Sequence, residues 1–348
     1  MSRNAQFHLI LWALIFGGSQ AWADDYLPLP ATNAAARIVV AQGEGLLNAF
    51  LPDNDRVATC FNTGLTSFTR TGTVAEAWRS LVSTNDVVGI KVFSRPGPLN
   101  GTRPAVVTAI VHGLEDAGLP KGNIIIWDKL ADDLHASGYN WLGRKLGVKV
   151  ESAVATGFDT NVFYLPDSPV VGSLVWGDLE FGRKGEDVGK KSFVTKIVSK
   201  EITKIISVTP LINETSAGVC GHFFSLGIGS VDNTRRFEVD GDQLATALPE
   251  IYALPSVGDR VVLNVTDALL GQYQGGPASY LQYSVPLQQI WFSHDPVALD
   301  VMALKELARE RKQINVPLEP TNFQIYTNAT LLQLGIDDPA HFQAERVP

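Results

Sequence analysis

Short, uninterrupted apolar runs alternate along the chain with longer segments in which apolar positions return every three or four residues. The runs are "RIVVA" (Arg37 to Ala41), "DVVGIKVF" (Asp86 to Phe93), "NIIIWD" (Asn123 to Asp128), "KIISVTPL" (Lys204 to Leu211), "RVVLNVTDAL" (Arg260 to Leu269) and "QIWFS" (Gln289 to Ser293). Rich in Val and Ile, they read as strands buried on both faces. "TVAEAWRSLV" (Thr73 to Val82), "PAVVTAIVHGLEDAG" (Pro104 to Gly118) and "PVALDVMALKELARERK" (Pro296 to Lys312) read as helices with one apolar face. Pro104 and Pro296 open two of them, Asp295 stands at an N-cap position and Gly118 at a helix end. This alternation predicts right-handed crossovers and a mainly parallel sheet with helices on both faces, a Rossmann-like α/β fold.

Two stretches depart from the rhythm. Residues 157–191, with "YLPDSPVVGSLVWGDLEFGRKGEDVGKK", carry glycines, prolines and a charged tail and are expected to form an inserted hairpin or lid within one domain, 24–348. "TNATLLQLGIDDP" reads as a capped helix followed by a polar tail. Ahead of the domain, Arg3, the apolar run Phe7 to Phe16 and Ala21-Trp22-Ala23 form a charged, an apolar and a cleavage region. A signal peptide over residues 1–23 follows, and with it a periplasmic or secreted protein beginning at Asp24. No later segment approaches ~20 uninterrupted apolar residues, so no transmembrane segment is expected after cleavage.

A formal net charge of -8 over 348 residues speaks against a nucleic-acid partner, whose phosphates demand a broad basic face. Only Cys60 and Cys220 are present, too few for an iron–sulfur cluster or a Cys-rich zinc site. In an oxidising compartment they could pair, or Cys220 could be a free buried thiol among small apolar neighbours.

Parallel sheets gather ligands outside the carboxyl ends of their strands, which selects the candidate chemistry. Lys91 emerges from an apolar strand, where it must find a partner or a ligand; Arg95, in the rigid turn that follows, is a candidate ligand contact. Asp128 and Asp267 stand where strands give way to loops, placed to hold a hard cation, to accept a proton, or simply to cap a turn. Lys91 and Asp267 are the candidate catalytic pair. In "SHDPVALD", Asp295 is a cap or a ligand contact, His294 a ligand, a base or an ordinary hydrogen-bonding residue, and Asp300 a buried charge in need of a partner such as Lys91. Arg103, just before Pro104, reads as a surface residue or as a guanidinium aimed at the same space as Lys91 and Arg95.

"SVTPLINETSAGVCGHFFSLGIGSVDNTRRF" (Ser207 to Phe237) places Gly218, Gly221, Gly227 and Gly229 in an expected loop, Asn213 to Asp232, ahead of Arg235 and Arg236. Glycines there could turn backbone N–H groups toward an anion, with the arginines adding positive charge, or they could merely permit a long turn. The spacing matches neither a P-loop nor a dinucleotide fingerprint. His222 and Glu214 flank the stretch as candidate ligands of a divalent metal. No G-x-S-x-G elbow and no H-E-x-x-H helix occurs.

The succession "VVGIKV", "AIVHGLEDAG", "NIIIWD", "IISVTPL", "GVCG…SVDNTRRF", "VTDALLGQYQGGP" and "SHDPVALD" resembles bacterial domain-of-unknown-function family 362 from about Ala41 to Gly335. The resemblance implies a Rossmann-like fold and an unassigned activity; members often accompany iron–sulfur domains, which this chain lacks. Lys91, Asp267, Asp295 and Asp300 keep the family's residues. Ile212 and Glu214 stand where the family implies a lysine and a histidine, Phe224-Ser225 where it implies Lys-Asn, and Glu238 where it implies a histidine. Two functions are therefore expected to compete. One is binding or transformation of a small anionic compound at the carboxyl edge, with a divalent metal as a candidate companion. The other is a non-catalytic descendant that serves as an interaction or scaffold protein.

Overall fold

The computed structural model describes residues 35–165, 191–238, 240–317 and 321–348. The signal peptide expected at residues 1–23 and most of the insertion expected at 157–191 lie outside them.

In chain order the described elements are strands β1 (Ala36–Gln42), β2 (Leu47–Asn48) and β3 (Leu51–Pro52), helices α1 (Asn54–Thr69) and α2 (Val74–Leu81), and β4 (Val88–Val92). Next come α3 (Gly97–Asn100), α4 (Pro104–Asp116), β5 (Ile124–Asp128), α5 (Ala131–Ala136), α6 (Tyr139–Leu146), β6 (Lys149–Ser152), α7 (Ala153–Thr156), β7 (Phe158–Tyr164) and β8 (Ser192–Thr195). The rest are β9 (Lys204–Glu214), β10 (Gly218–Val219), α8 (His222–Ser230), α9 (Arg235–Glu238), α10 (Gly241–Tyr252), β11 (Val261–Gln272), β12 (Ser284–Ser293), α11 (Pro296–Gln313), α12 (Gln324–Leu331) and β13 (Phe342–Val347).

The main sheet has the order β13-β1-β12-β11-β9-β4-β5-β6, with β10 appended to β9. β6, β5, β4, β9 and β11 run parallel, while β12 is antiparallel to both β11 and β1. This is the mostly parallel α/β sheet that the apolar runs predict, with helices on both faces. On one face Phe61, Val106, Ile110 and Leu142 of α1, α4 and α6 share one buried apolar cluster with Ile90 and Val92 of β4 and Phe292 of β12. On the other, Phe223, Leu226 and Leu248 of α8 and α10 cover Ile125 and Ile205.

The helix signals act as expected. Asp295 caps α11 by accepting the Ala298 N–H at 2.8 Å, and Gly118, at φ +97°, accommodates the left-handed turn after α4. The C-terminal tail, expected to be merely polar, forms β13 instead and pairs parallel with β1. β7 and β8, which flank the expected insertion, pair antiparallel. Cys60 and Cys220 are both free and buried, so they do not form the disulfide that an oxidising compartment would have allowed.

Candidate functional site

From β4 the chain crosses through α4 outward to β5; from β9 it passes through α8 and α10 the opposite way, to β11. Because α4 and α8 cover opposite faces, the segments leaving β4 and β9 diverge. At such a reversal of winding, open α/β sheets bind their ligands outside the carboxyl ends of the two strands.

Lys91 lies on β4 beneath this point and is fully buried. Its Nζ donates to Val92 O at 2.8 Å, Asp128 Oδ1 at 2.8 Å and Ser225 Oγ at 3.0 Å. An ammonium has three protons, and all three are taken. Burial pulls the lysine pKa below its ordinary value, while the Asp128 carboxylate opposes that shift. Asp128 in turn receives the Ser94 N–H at 2.7 Å and the Ser94 hydroxyl at 2.6 Å. Gly229 packs so closely over Lys91 that any Cβ there would strike the lysine Cε.

Asp267 is not Lys91's partner across a cleft. Lys91 aligns with Ser207 and Ser207 with Asn264, three residues from Asp267. Side chains alternate along a strand, so this odd offset sends Asp267 to the opposite face. There its carboxylate binds Arg103, accepting the backbone N–H at 2.9 Å and Nη1 at 2.7 Å. Arg103, expected at the surface, is 1% exposed. The position just before Pro104, at the start of a helix under a strand end, was the signal for it.

The glycine stretch does not form the expected loop. β9 extends to Glu214, and His222–Ser230 is a nearly all-buried helix, because Phe223, Phe224 and Leu226 have a core to fill. Gly221 precedes that helix, and the N–H groups of His222 and Phe223 do meet an anion: the Asp300 carboxylate, at 2.7 and 3.1 Å. Asp300 thus pairs with backbone amides and not with Lys91. Burial pushes its carboxyl up to about 7, although the two amides pull it down. Gly218, at φ +86°, sits in β10 against Leu304 and Thr321.

Arg236 turns inward to Ser192 Oγ at 2.9 Å and stacks over Tyr164, bracing β7 and β8; Arg235 is exposed at the start of α9. Asp295 and His294 lie at the opposite edge of the sheet, since β12 runs antiparallel and its end, Ser293, aligns with Asn264 near the beginning of β11. Asp295 is fully used as a cap, accepting also from Ile336 N at 2.9 Å. The candidates therefore do not converge in one cleft.

Arg95 is different. It is exposed on the turn after β4, and among the described residues it makes no hydrogen bond or ion pair. Its charge acts on Glu214 at the end of β9, on Asp133 of α5 and on Cys220. It lies on the segment that leaves β4, within electrostatic reach of the end of β9. Glu214 is held above its ordinary pKa by burial, against the N–H groups of Ser216 and Ala217 that its Oε2 accepts. His222 is enclosed among Ser207, Thr209 and Thr266, and burial lowers its pKa to about 3. Among the described residues no three His, Cys, Asp or Glu side chains converge as a set of metal ligands.

The family model described as Domain of unknown function (DUF362) matches residues 88–305. No curated protein matches. One similar solved structure is a crystal structure of a protein from Thermotoga maritima, a Northeast Structural Genomics Consortium target. It is 11% identical, with a TM-score of 0.39 over 78% of this chain and 60% of its own length. The family match spans β4 to α11 and takes in the sheet reversal, Lys91, Asp128, Asp267 and Asp300: the chain belongs to the DUF362 family.

Proposed function

We propose that the protein binds a small anionic compound in the crevice between the segments that follow β4 and β9, through Arg95, with Lys91 and Asp267 acting as scaffold and not as catalytic groups. The observation that carries this reading is the place of Arg95, an exposed guanidinium without a partner among the described residues, where the winding of the sheet reverses. Guanidinium suits carboxylate or phosphate because its donors form a planar fork. Gly97, at φ +81°, has open space where a side chain would be, which leaves the backbone beside Arg95 approachable. Lys91 has no proton left to give and its neighbours hold it rigid, so it contributes a preorganised floor.

Thermal melting of the chain with phosphate, with mono- and dicarboxylates, and with Mg²⁺, Zn²⁺ and Ni²⁺ tests this. A ligand that prefers the folded state raises the midpoint, by the equivalent of about 2.7 kcal/mol at a hundred times its Kd. An anion-specific rise is expected; a flat response to every anion overturns the reading.

A second reading, a non-catalytic descendant serving as an interaction protein, draws support from Asp300. Its carboxylate fills the amide cradle that an external anion would otherwise need. Export is part of both readings and rests on the leader read in residues 1–23. Intact-mass measurement of the protein isolated from its native cell should then give a chain beginning at Asp24.

A further inference from the structure

β6 closes one end of the main sheet and among the described strands pairs only with β5. An edge of this kind offers a row of N–H and C=O groups to another strand. A depression of about 290 Å³ lies between Val150, Glu151 and Ser152 of β6 and Ala131 and Leu134 of α5. Leu130, Trp141 and Val154, all exposed, belong to the segments that immediately follow β5, precede β6 and follow β6. Among the described residues no strand pairs with the outer edge of β6, and an open edge is where a further strand can add.

The sequence of the edge specifies which strand. "KVE", Lys149-Val150-Glu151, keeps its charge complementarity when it is reversed against itself. Lys149 and Glu151 share a face, being two residues apart. In an antiparallel pair centred on Val150, the Lys149 of each copy faces the Glu151 of the other, at the close cross-strand spacing where opposite charges attract. A second observation favours an added cation beside Glu151. Glu201 lies against Glu151; burial first, and then the charge of Glu151 and a hydrogen bond to it, hold Glu201 above its ordinary pKa, and only Lys149 works the other way. Two acids beside one lysine would gain from another lysine.

We propose that β6 is the interface of a two-fold homodimer, paired antiparallel with β6 of a second copy, Val150 opposite Val150 and Lys149 opposite Glu151. Short charged edges also serve monomers by discouraging association. Charge reversal separates the two roles.

Sedimentation equilibrium of wild type, Lys149→Glu, Glu151→Lys and the double variant decides it, with circular dichroism and melting to establish that each is folded. Wild type is expected at twice the monomer mass. Each single reversal should weaken association by about tenfold or more, since two symmetry-related pairs turn from attraction to repulsion. The double variant, which restores complementarity, should recover most of that loss. A wild-type monomer across the concentration range, single reversals that leave association unchanged, or a double variant no better than the singles would each overturn the proposal.

Discussion

Lys91 Nζ and Asp128 Oδ1 stand 2.8 Å apart with both side chains withdrawn from solvent, and Ser94 and Ser225 complete their hydrogen bonding. A pair of this kind holds a strand end rigid. It is also costly to break, because removing one partner leaves an uncompensated charge in a medium that solvates it poorly.

We therefore predict that Lys91→Met and Asp128→Asn each destabilise the protein by about 3–5 kcal/mol. The double variant should lose less than the sum of the two. Urea unfolding of all four proteins supplies the cycle, and additive losses would show that the pair does not couple.

Packing around the two buried charges predicts a second pair of effects. A Cβ at Gly221 would overlap the Asp300 carboxylate, and one at Gly229 would overlap the Lys91 side chain. Gly221→Ala and Gly229→Ala should each cost about 1–3 kcal/mol, the usual penalty for overpacking a filled interior. Midpoints equal to wild type would mean that the carboxylate and the ammonium move aside freely.

Asp300 sets a pH dependence whose sign is unusual for a carboxylate. Burial raises its folded-state pKa to about 7, and that of Asp295 to about 6, above the ordinary value near 3.9. The folded protein then binds protons more tightly than the unfolded chain, so this contribution is fully present below about pH 4 and is lost as pH rises toward 7. Asp300→Asn should flatten the fall in stability between pH 4 and 7. An unchanged slope in denaturant unfolding would remove Asp300 from the account.

Cys60 and Cys220 are free and buried, and burial raises both thiols, Cys60 to about 11. Thiol reagents should react slowly with the native protein and should count two thiols per chain in denaturant. A count near zero after unfolding would mean that the two are paired.

The sheet was legible because strands covered on both faces are written as continuous Val and Ile runs, and because Pro104, Gly118 and Asp295 mark helix ends chemically. α1 was not legible: its sixteen residues mix threonines with Gly64, which gives way to Phe292 and Ala41 of the sheet. α8 was misread for a related reason. Glycines that look like a flexible loop in sequence are here the close contacts of a packed helix with Leu248, Lys91 and Asp300. The site was only half legible. Position at a strand end pointed to Lys91 and Asp128, but face depends on register, and register with a distant strand is not written in either segment. Hence Asp267 meets Arg103 and not Lys91, and Asp295, a cap as its sequence position implies, lies away from the carboxyl ends of the parallel strands. β12 carries no local sign that it runs antiparallel.

In the proposed function Arg95 is the side chain that meets the ligand, and calorimetric titration with the anion that most raises the melting point measures this directly. Arg95→Ala should abolish binding or weaken it at least about tenfold, equivalent to 1.4 kcal/mol, with melting temperature in the absence of ligand unchanged; Arg95→Lys should retain part of the affinity. Wild-type affinity in Arg95→Ala would contradict the claim and would locate the anion elsewhere on the molecule.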